Sequence, residues 1–384
     1  MRFEWLLAPF VLLLPLILNV RCWRRDLERV RALVAARRKI SYDDLLRHGH
    51  SRVSFLVAAW NEEATLAACI QSILNLGYPE LELILCAGGT DKTFEIASQF
   101  RDSRLKLLRQ NAGDGKQKSL SRCLELASGE IIYLIDADSA LTPAAFVRTV
   151  AAIVIDREDA VTSTPCTPFP HQSSSAFAIS QCASWSYTSL RQPKYGASLV
   201  GMNAAIRHTA LKKVGGFDAS VAAGGDFELG KRLRRAGFRI RYEPDASFPI
   251  EFQTNLRIYW RQQARWLRNV VIHGVSFGAY REAAMCLLTS LIGLAMLVAP
   301  FVLLAGFLLH LRRAILLTLS AIWAVGLFHA LFSRIRYLKV AAEWLGIRVP
   351  ANTILYTPGF LFIDFVAWAI PLFQYPWRSA REKW

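Results

Sequence analysis

The sequence predicts an α/β layer with parallel strands, set between helices that span a membrane. Three observations lead there. Between residues 51 and 253, apolar runs of strand length alternate with segments of helical periodicity. Uncharged spans near the ~20 residues that a membrane crossing requires occur only outside that region. The 384 residues are also 53% hydrophobic with a mean hydropathy of +0.26, which is too apolar for an ordinary soluble chain.

Taken in order, Trp5 to Val20 are apolar and uncharged, and Arg21, Arg24, Arg25, Arg29, Arg31, Arg37, Arg38 and Lys39 follow. A secretory leader carries its charge ahead of the apolar stretch and small residues behind it. The order found here reads as an uncleaved anchor over residues 1–22 and a basic juxtamembrane segment over 23–50. The basic flank places residue 21 onward in the cytosol.

In the region 51–253, Val53 to Ala58 reads as a first strand. Glu62 to Leu76 has helical spacing through Leu66, Ile70, Ile73 and Leu74, stopped by Gly77 and Pro79. Leu81 to Leu85 and Leu105 to Leu108 are further strands, Lys116 to Ala127 a helix, and Ile131 to Ile135 a strand apolar on both faces. Over 254–282, Leu256, Tyr259, Trp260, Leu267 and Val270 form the stripe of an amphipathic interfacial helix. The runs Ala283 to Leu309, Ala314 to Phe332 and Ile354 to Phe373 form a C-terminal transmembrane cluster over 283–375, with a tail over 376–384. Three plain crossings set Arg378, Arg381 and Lys383 outside, against the positive-inside tendency. Pro358, Gly359, Asp364 and Pro371 therefore point to a re-entrant or broken last segment. Asp364 is costly in lipid and should face protein, water or a partner.

A net charge of +16 raises nucleic acid as a partner, but the basic residues cluster beside apolar segments, where anionic headgroups of a lipid bilayer are the simpler partner. No nucleic acid is expected. The seven cysteines are odd in number and lack a C-x-x-C pair, which reads as packed, reduced thiols. The seven histidines have no ligand spacing. Lys231, Arg232, Arg234, Arg235, Arg239 and Arg241 read as a solvated or headgroup-facing rim.

Asp136-Ala137-Asp138 closes the last of these strands. By itself such a pair is equally turn chemistry. At the carboxyl end of a parallel strand, where ligands bind in open α/β sheets, its hard oxygens suit Mg or Mn bridging a diphosphate. Asp226, ahead of Leu229 and Leu233, is either a helix cap or a base. Gln262, Arg265 and Trp266 stand at i, i+3 and i+4 and share one helix face.

Ala58-Ala-Trp-Asn-Glu-Glu63, Gly88-Gly-Thr-Asp91, Gly115-Lys116, Asp136-Ala-Asp138, Gly215-Gly-Phe-Asp218 and Gln262-x-x-Arg265-Trp266 occur in the order found in family 2 glycosyltransferases. The chain resembles that family over residues 50–270. The resemblance implies a GT-A fold, a nucleotide-diphosphate sugar donor, with a UDP-sugar favoured, and inversion at the anomeric carbon. The Q-x-x-R-W element is similar to membrane members: cellulose, chitin and hyaluronan synthases and the ceramide glucosyltransferase group. Carried over residue by residue, the resemblance implies donor contacts at Ala58, Glu62, Ala87, Lys116, Asp136 and Arg265, with Glu62 at the base, Lys116 at the diphosphate and Asp136 at the nucleoside. It implies the metal at Asp138, the general base at Asp226, and acceptor contacts at Gly201, Met202, Asn203, Gln262 and Trp266. Two departures stand out. Gly225 precedes Asp226 where the family more often has Glu, and Cys86-Ala87-Gly88-Gly89 replaces a frequent Asp-Asp-Gly-Ser, leaving no carboxylate at position 87 to hold the base.

A synthase that secretes its polymer builds a polar tunnel from its spans, and about four candidate spans are few for one chain. The arrangement is more similar to the ceramide glucosyltransferase group, which implies a membrane lipid or lipid-linked acceptor. A processive polysaccharide synthase is the alternative, and a catalytically silent sugar- or partner-binding protein a minor third reading.

Overall fold

The computed structural model describes the backbone of residues 4–195, 198–221 and 223–374, and side chains from residue 15 onward. The chain divides into two compact units, an α/β unit of residues 37–170 and 188–251 and a helical unit of residues 4–36, 171–187 and 252–374.

In the α/β unit the strands are β1 (Val53–Trp60), β2 (Leu81–Gly88), β3 (Leu105–Arg109), β4 (Ile131–Ile135), β5 (Ala160–Thr162), β6 (Cys166–Pro168), β7 (Asn203–Arg207), β8 (Ile240–Tyr242) and β9 (Phe248–Ile250). Seven of them form one sheet in the order β3-β2-β1-β4-β7-β5-β8, and β6 pairs with β9. The four strands expected from the apolar runs are present and parallel, with Val53 opposite Leu81 through Trp60 opposite Gly88. The sheet is nevertheless mixed, because β7 runs antiparallel to both β4 and β5. Leu56, Ile84, Ile132, Ile206, Leu233 and Ile240 are buried in the core, and the rings of Phe55, Tyr133 and Phe146 pack against one another. At ~1.5–3 kcal/mol per buried large apolar side chain, this core holds the strand ends in place.

The helix expected from Glu62 begins at Leu66. Its would-be first turn is diverted: Asn61 sits at φ 60°, the Glu62 N–H donates to Thr93 Oγ1 (2.7 Å), and the Glu63 N–H donates to Asp91 Oδ2 (3.2 Å).

The helical unit contains Glu4–Ala35, Leu256–Ser276, Tyr280–Leu308, Arg313–Leu345 and Thr357–Gln374. The last three are long and apolar enough to cross a membrane. Glu4–Ala35 continues unbroken through the basic flank, so no structural boundary lies at residue 22. Arg313–Leu345 overruns the apolar run that ends at Phe332, and its extension buries Arg334 and Arg336. The last apolar run is divided at Tyr356, between the helices Ala351–Leu355 and Thr357–Gln374. Thr357–Gln374 itself is unbroken: Pro358 and Gly359 fall in its first turn, where backbone N–H groups need no helical partner, and Pro371 lies inside it near its end, where it removes one backbone donor. Gly293 permits a close crossing with it: a Cβ there would lie 2.8 Å from Phe365 O and Trp368 Cβ.

Candidate active site

At the carboxyl edge of the sheet the chain leaves β4 into a turn in which the Ser139 N–H donates to Asp136 O (3.1 Å). Asp138 Oδ1 accepts from Ser139 Oγ (3.3 Å). Lys116 lies in the first turn of the Gly115–Glu125 helix and its Nζ pairs with Asp136 Oδ1. Asp226 is the second residue of the Gly225–Arg235 helix, which starts from Gly224 in the left-handed region at φ 73°. Its Oδ1 accepts from the Phe227 N–H (2.8 Å) and its Oδ2 from the Gly201 N–H (3.1 Å). It is therefore held by backbone donors without being the cap itself. Asn203 pairs with Ile135 across β4 and β7, which sets Gly201 beside the turn of Asp136. A Cβ on Gly201 would stand 3.4 Å from Asp226 Cβ and 3.8 Å from Lys116 Nζ. Lys116, Asp136, Gly201 and Asp226 thus converge.

The electrostatics of this edge favour incoming positive charge. Burial, with Asp136 beside it, pushes the Asp138 carboxyl up to about 7. Burial together with Asp138 and Asp136 pushes Glu62 up to about 8. Desolvation opposes the charge on Lys116, but Asp136, Asp226 and Asp138 outweigh it and hold the ammonium above its ordinary range. Carboxyl groups so displaced would return toward their ordinary range beside a divalent cation, which is the behaviour expected of ligands for one. Among the described residues no three His, Cys, Asp or Glu side chains gather to enclose a metal. One or two carboxylates completed by substrate phosphates is the donor set Mg and Mn commonly use, and Asp138 with Asp136 fits it.

Other residues fall elsewhere. Asn203 belongs to the core: it is fully buried, accepts from Tyr133 Oη (2.5 Å) and donates to Ala246 O (3.3 Å). Met202 is buried too. Ala87 is buried, and its carbonyl accepts from the Gln110 N–H (2.8 Å), while Ala58 is half-buried on β1. The basic rim is partly internal. Arg232 makes a two-pronged pair with Glu228 and donates to Val214 O and Gly216 O, and Arg241 pairs with Asp156 and Glu243.

One feature escaped the motifs. A Cβ on Gly225 would fall 2.0 Å from Gln117 Nε2, so Gln117 fills the space that a Glu at 225 requires. In the helical unit, Gln262, Arg265 and Trp266 lie on Leu256–Ser276, with Trp266 packed on Trp185 (ring centroids 5.1 Å). Trp260 Nε1 donates to Ile363 O (2.9 Å) and Tyr259 Oη donates to Asp364. Asp364 faces protein, as its cost in lipid demands.

A family model described as glycosyltransferase like family 2 matches residues 50–269. The chain is similar to the poly-beta-1,6-N-acetyl-D-glucosamine synthase of Staphylococcus epidermidis, 28% identical over 236 residues, which are 58% of this chain and 56% of that protein. It is also similar to the beta-monoglucosyldiacylglycerol synthase of Nostoc sp. (strain PCC 7120), 40% identical over 94 residues, 23% of this chain and 20% of that protein. The chain spans about half the length of the curated relatives it matches. Its fold is similar to that of a mannosyltransferase from Pyrobaculum calidifontis in complex with GDP-Man and Mn2+, with a TM-score of 0.51 and 17% identity over 96% of this chain and 98% of that one. The mixed sheet is a GT-A sheet, the family match covers more than half of the sequence, and the chain belongs to glycosyltransferase family 2.

Proposed function

We propose that this protein transfers a sugar, with inversion, from a nucleotide-diphosphate sugar, with UDP-sugars the first to try, to a hydroxyl of a membrane lipid or lipid-linked acceptor at the cytosolic face. The observation that carries the reading is the convergence of Lys116, Asp136, Gly201 and Asp226 at the carboxyl edge of the sheet.

Asp226 is the base. The Gly201 N–H fixes one carboxylate oxygen and the Phe227 N–H the other, which orients the lone pairs toward an acceptor hydroxyl. As the hydroxyl oxygen bonds to the anomeric carbon, the bond from that carbon to the diphosphate breaks, the electron pair leaves with the nucleoside diphosphate, and the proton passes to Asp226. Lys116, held at Asp136 before the donor arrives, is placed to meet the charge growing on the diphosphate. Asp138, with Asp136, would hold Mg or Mn. Bound there, the divalent ion neutralises part of that same charge. Glu62 lies at the same edge for the nucleoside, and Arg265, Gln262 and Trp266 are assigned to the diphosphate and the acceptor on their motif alone.

The lipid acceptor is supported by three helices suited to a bilayer and by the glycolipid-synthase name of one relative. The name of another favours the polysaccharide alternative. The test is incubation of the chain in nanodiscs with radiolabelled nucleotide sugars, Mn or Mg and a total lipid extract. Label in a discrete organic-soluble band supports the lipid reading, high-mass label the polymer, and no transferred label with any donor overturns both.

A further inference from the structure

Among the described residues of the helical unit three arginines are buried, and two of them are neutralised within it. Arg334 (8% exposed) pairs with Asp364, and Arg336 (4% exposed) pairs with Asp26 (3.5 Å) and donates to Tyr187 Oη (3.0 Å). Arg268 (8% exposed) is different. Its Nε has no hydrogen-bond partner, and among the described residues no carboxylate pairs with it. A guanidinium stays charged at any physiological pH, so a buried one without a counter-ion is strongly disfavoured unless an anion arrives from outside.

The position says what kind of anion. Arg268 stands on Leu256–Ser276 one turn beyond Arg265, continuing the row of Gln262 and Arg265 at three-residue spacing. The same helix exposes Leu256 and Ile258 at its start and Val275 at its end, at 40%, 50% and 53%, so both of its ends present apolar side chains suited to a membrane interface. Lipid phosphates lie at that depth, and the planar fork of arginine matches a phosphate through two parallel hydrogen bonds.

We infer that Arg268 is a binding site for the phosphate group of an amphiphile, a phospholipid headgroup or a lipid-linked phosphate, beyond the residues assigned to donor and base. The inference stands whether or not Asp226 is the base.

The test uses the full chain in dodecyl maltoside, which carries no phosphate, and follows the melting temperature as short-chain phosphatidate, the matching diacylglycerol or inorganic phosphate is added. Phosphatidate should raise the melting temperature and diacylglycerol should not. Arg268→Gln should need about tenfold more phosphatidate for the same shift, as the loss of one charged hydrogen-bond pair predicts. Arg268→Lys should fall between the two. Because the replaced charge is uncompensated, Arg268→Gln should melt no lower than the parent without ligand. A variant that fails to fold in this detergent would show that Arg268 is neutralised internally and overturn the site. An unchanged response to phosphatidate would overturn it as well. An Arg268-dependent shift of equal size with inorganic phosphate would keep the phosphate chemistry and reject the amphiphile.

Discussion

Replacing Asp226 with Asn keeps shape and removes basicity. In the structure both carboxylate oxygens accept backbone hydrogen bonds, at 2.8 and 3.1 Å. The amide of Asn retains one acceptor and turns the other into a donor facing a backbone N–H. Losing one charge-assisted bond of this kind costs about 1 kcal/mol, which lowers the melting temperature of a unit this size by about 2–4 °C. Losing a positioned base slows turnover by roughly 10²–10⁴, or about 3–5 kcal/mol on the barrier. The two magnitudes separate the roles. Asp226→Asn should fold and bind nucleoside diphosphate with little change while kcat collapses. The assay pairs transfer rates at saturating donor with calorimetric melting of the same preparations. Turnover within about tenfold of the parent, at matched stability, refutes the assignment of the base.

Asp138→Ala should abolish the dependence of nucleoside diphosphate binding on Mg or Mn in isothermal titration, and undiminished cation-dependent binding contradicts its role as ligand. Glu82, almost fully buried, is desolvated, yet Lys106, Ser54 and Ser128 donate to its carboxylate and hold it at about 2 against the usual 4.5. The folded value lies below the unfolded one, so the stabilisation is complete above pH 4.5 and is lost as pH falls toward 2. That gap corresponds to on the order of 3 kcal/mol, so denaturant midpoints of Glu82→Gln and parent should differ clearly at pH 7 and converge in acid. Gly88→Ala should destabilise by about 1–3 kcal/mol, since its Cβ would lie 2.3 Å from the Gln110 carbonyl oxygen in the backbone; an unchanged melting temperature counts against that packing.

The strands β1 to β4 were legible because each is a run of apolar side chains long enough to identify without context. Strand β7 was not. Asn203-Ala-Ala-Ile-Arg207 is short and made largely of small residues, and no periodicity encodes the direction in which a strand pairs. The carboxylates at 136 and 138 were legible by their place after a buried strand. The burial of Asn203 was not legible, because it depends on Tyr133 and Ala246, distant in sequence. Arg232 was misread although the sign was local: Glu228 stands four residues before it, the spacing of a helical ion pair. The fit of Gln117 over Gly225 joins two helices and leaves no trace in either segment alone. Asp364 shows the reverse, since the penalty for a charge in lipid implied that it faces protein, water or a partner, and protein is what it meets.

Strand β7 meets its neighbours head to tail, so the polypeptide arrives at the carboxyl edge on its way into that strand, whereas it reaches Asp136 on its way out of β4. The two sides of the candidate site, at Asp136 and at Gly201, are consequently built by segments of opposite polarity that share no turn. An insertion ahead of Gly201 would lengthen one side of the site and leave the pairing of β1, β2 and β4 undisturbed. On the proposed assignment, acceptor preference is in this way separable from donor chemistry, and one scaffold can change what it glycosylates by exchanging a single stretch of chain.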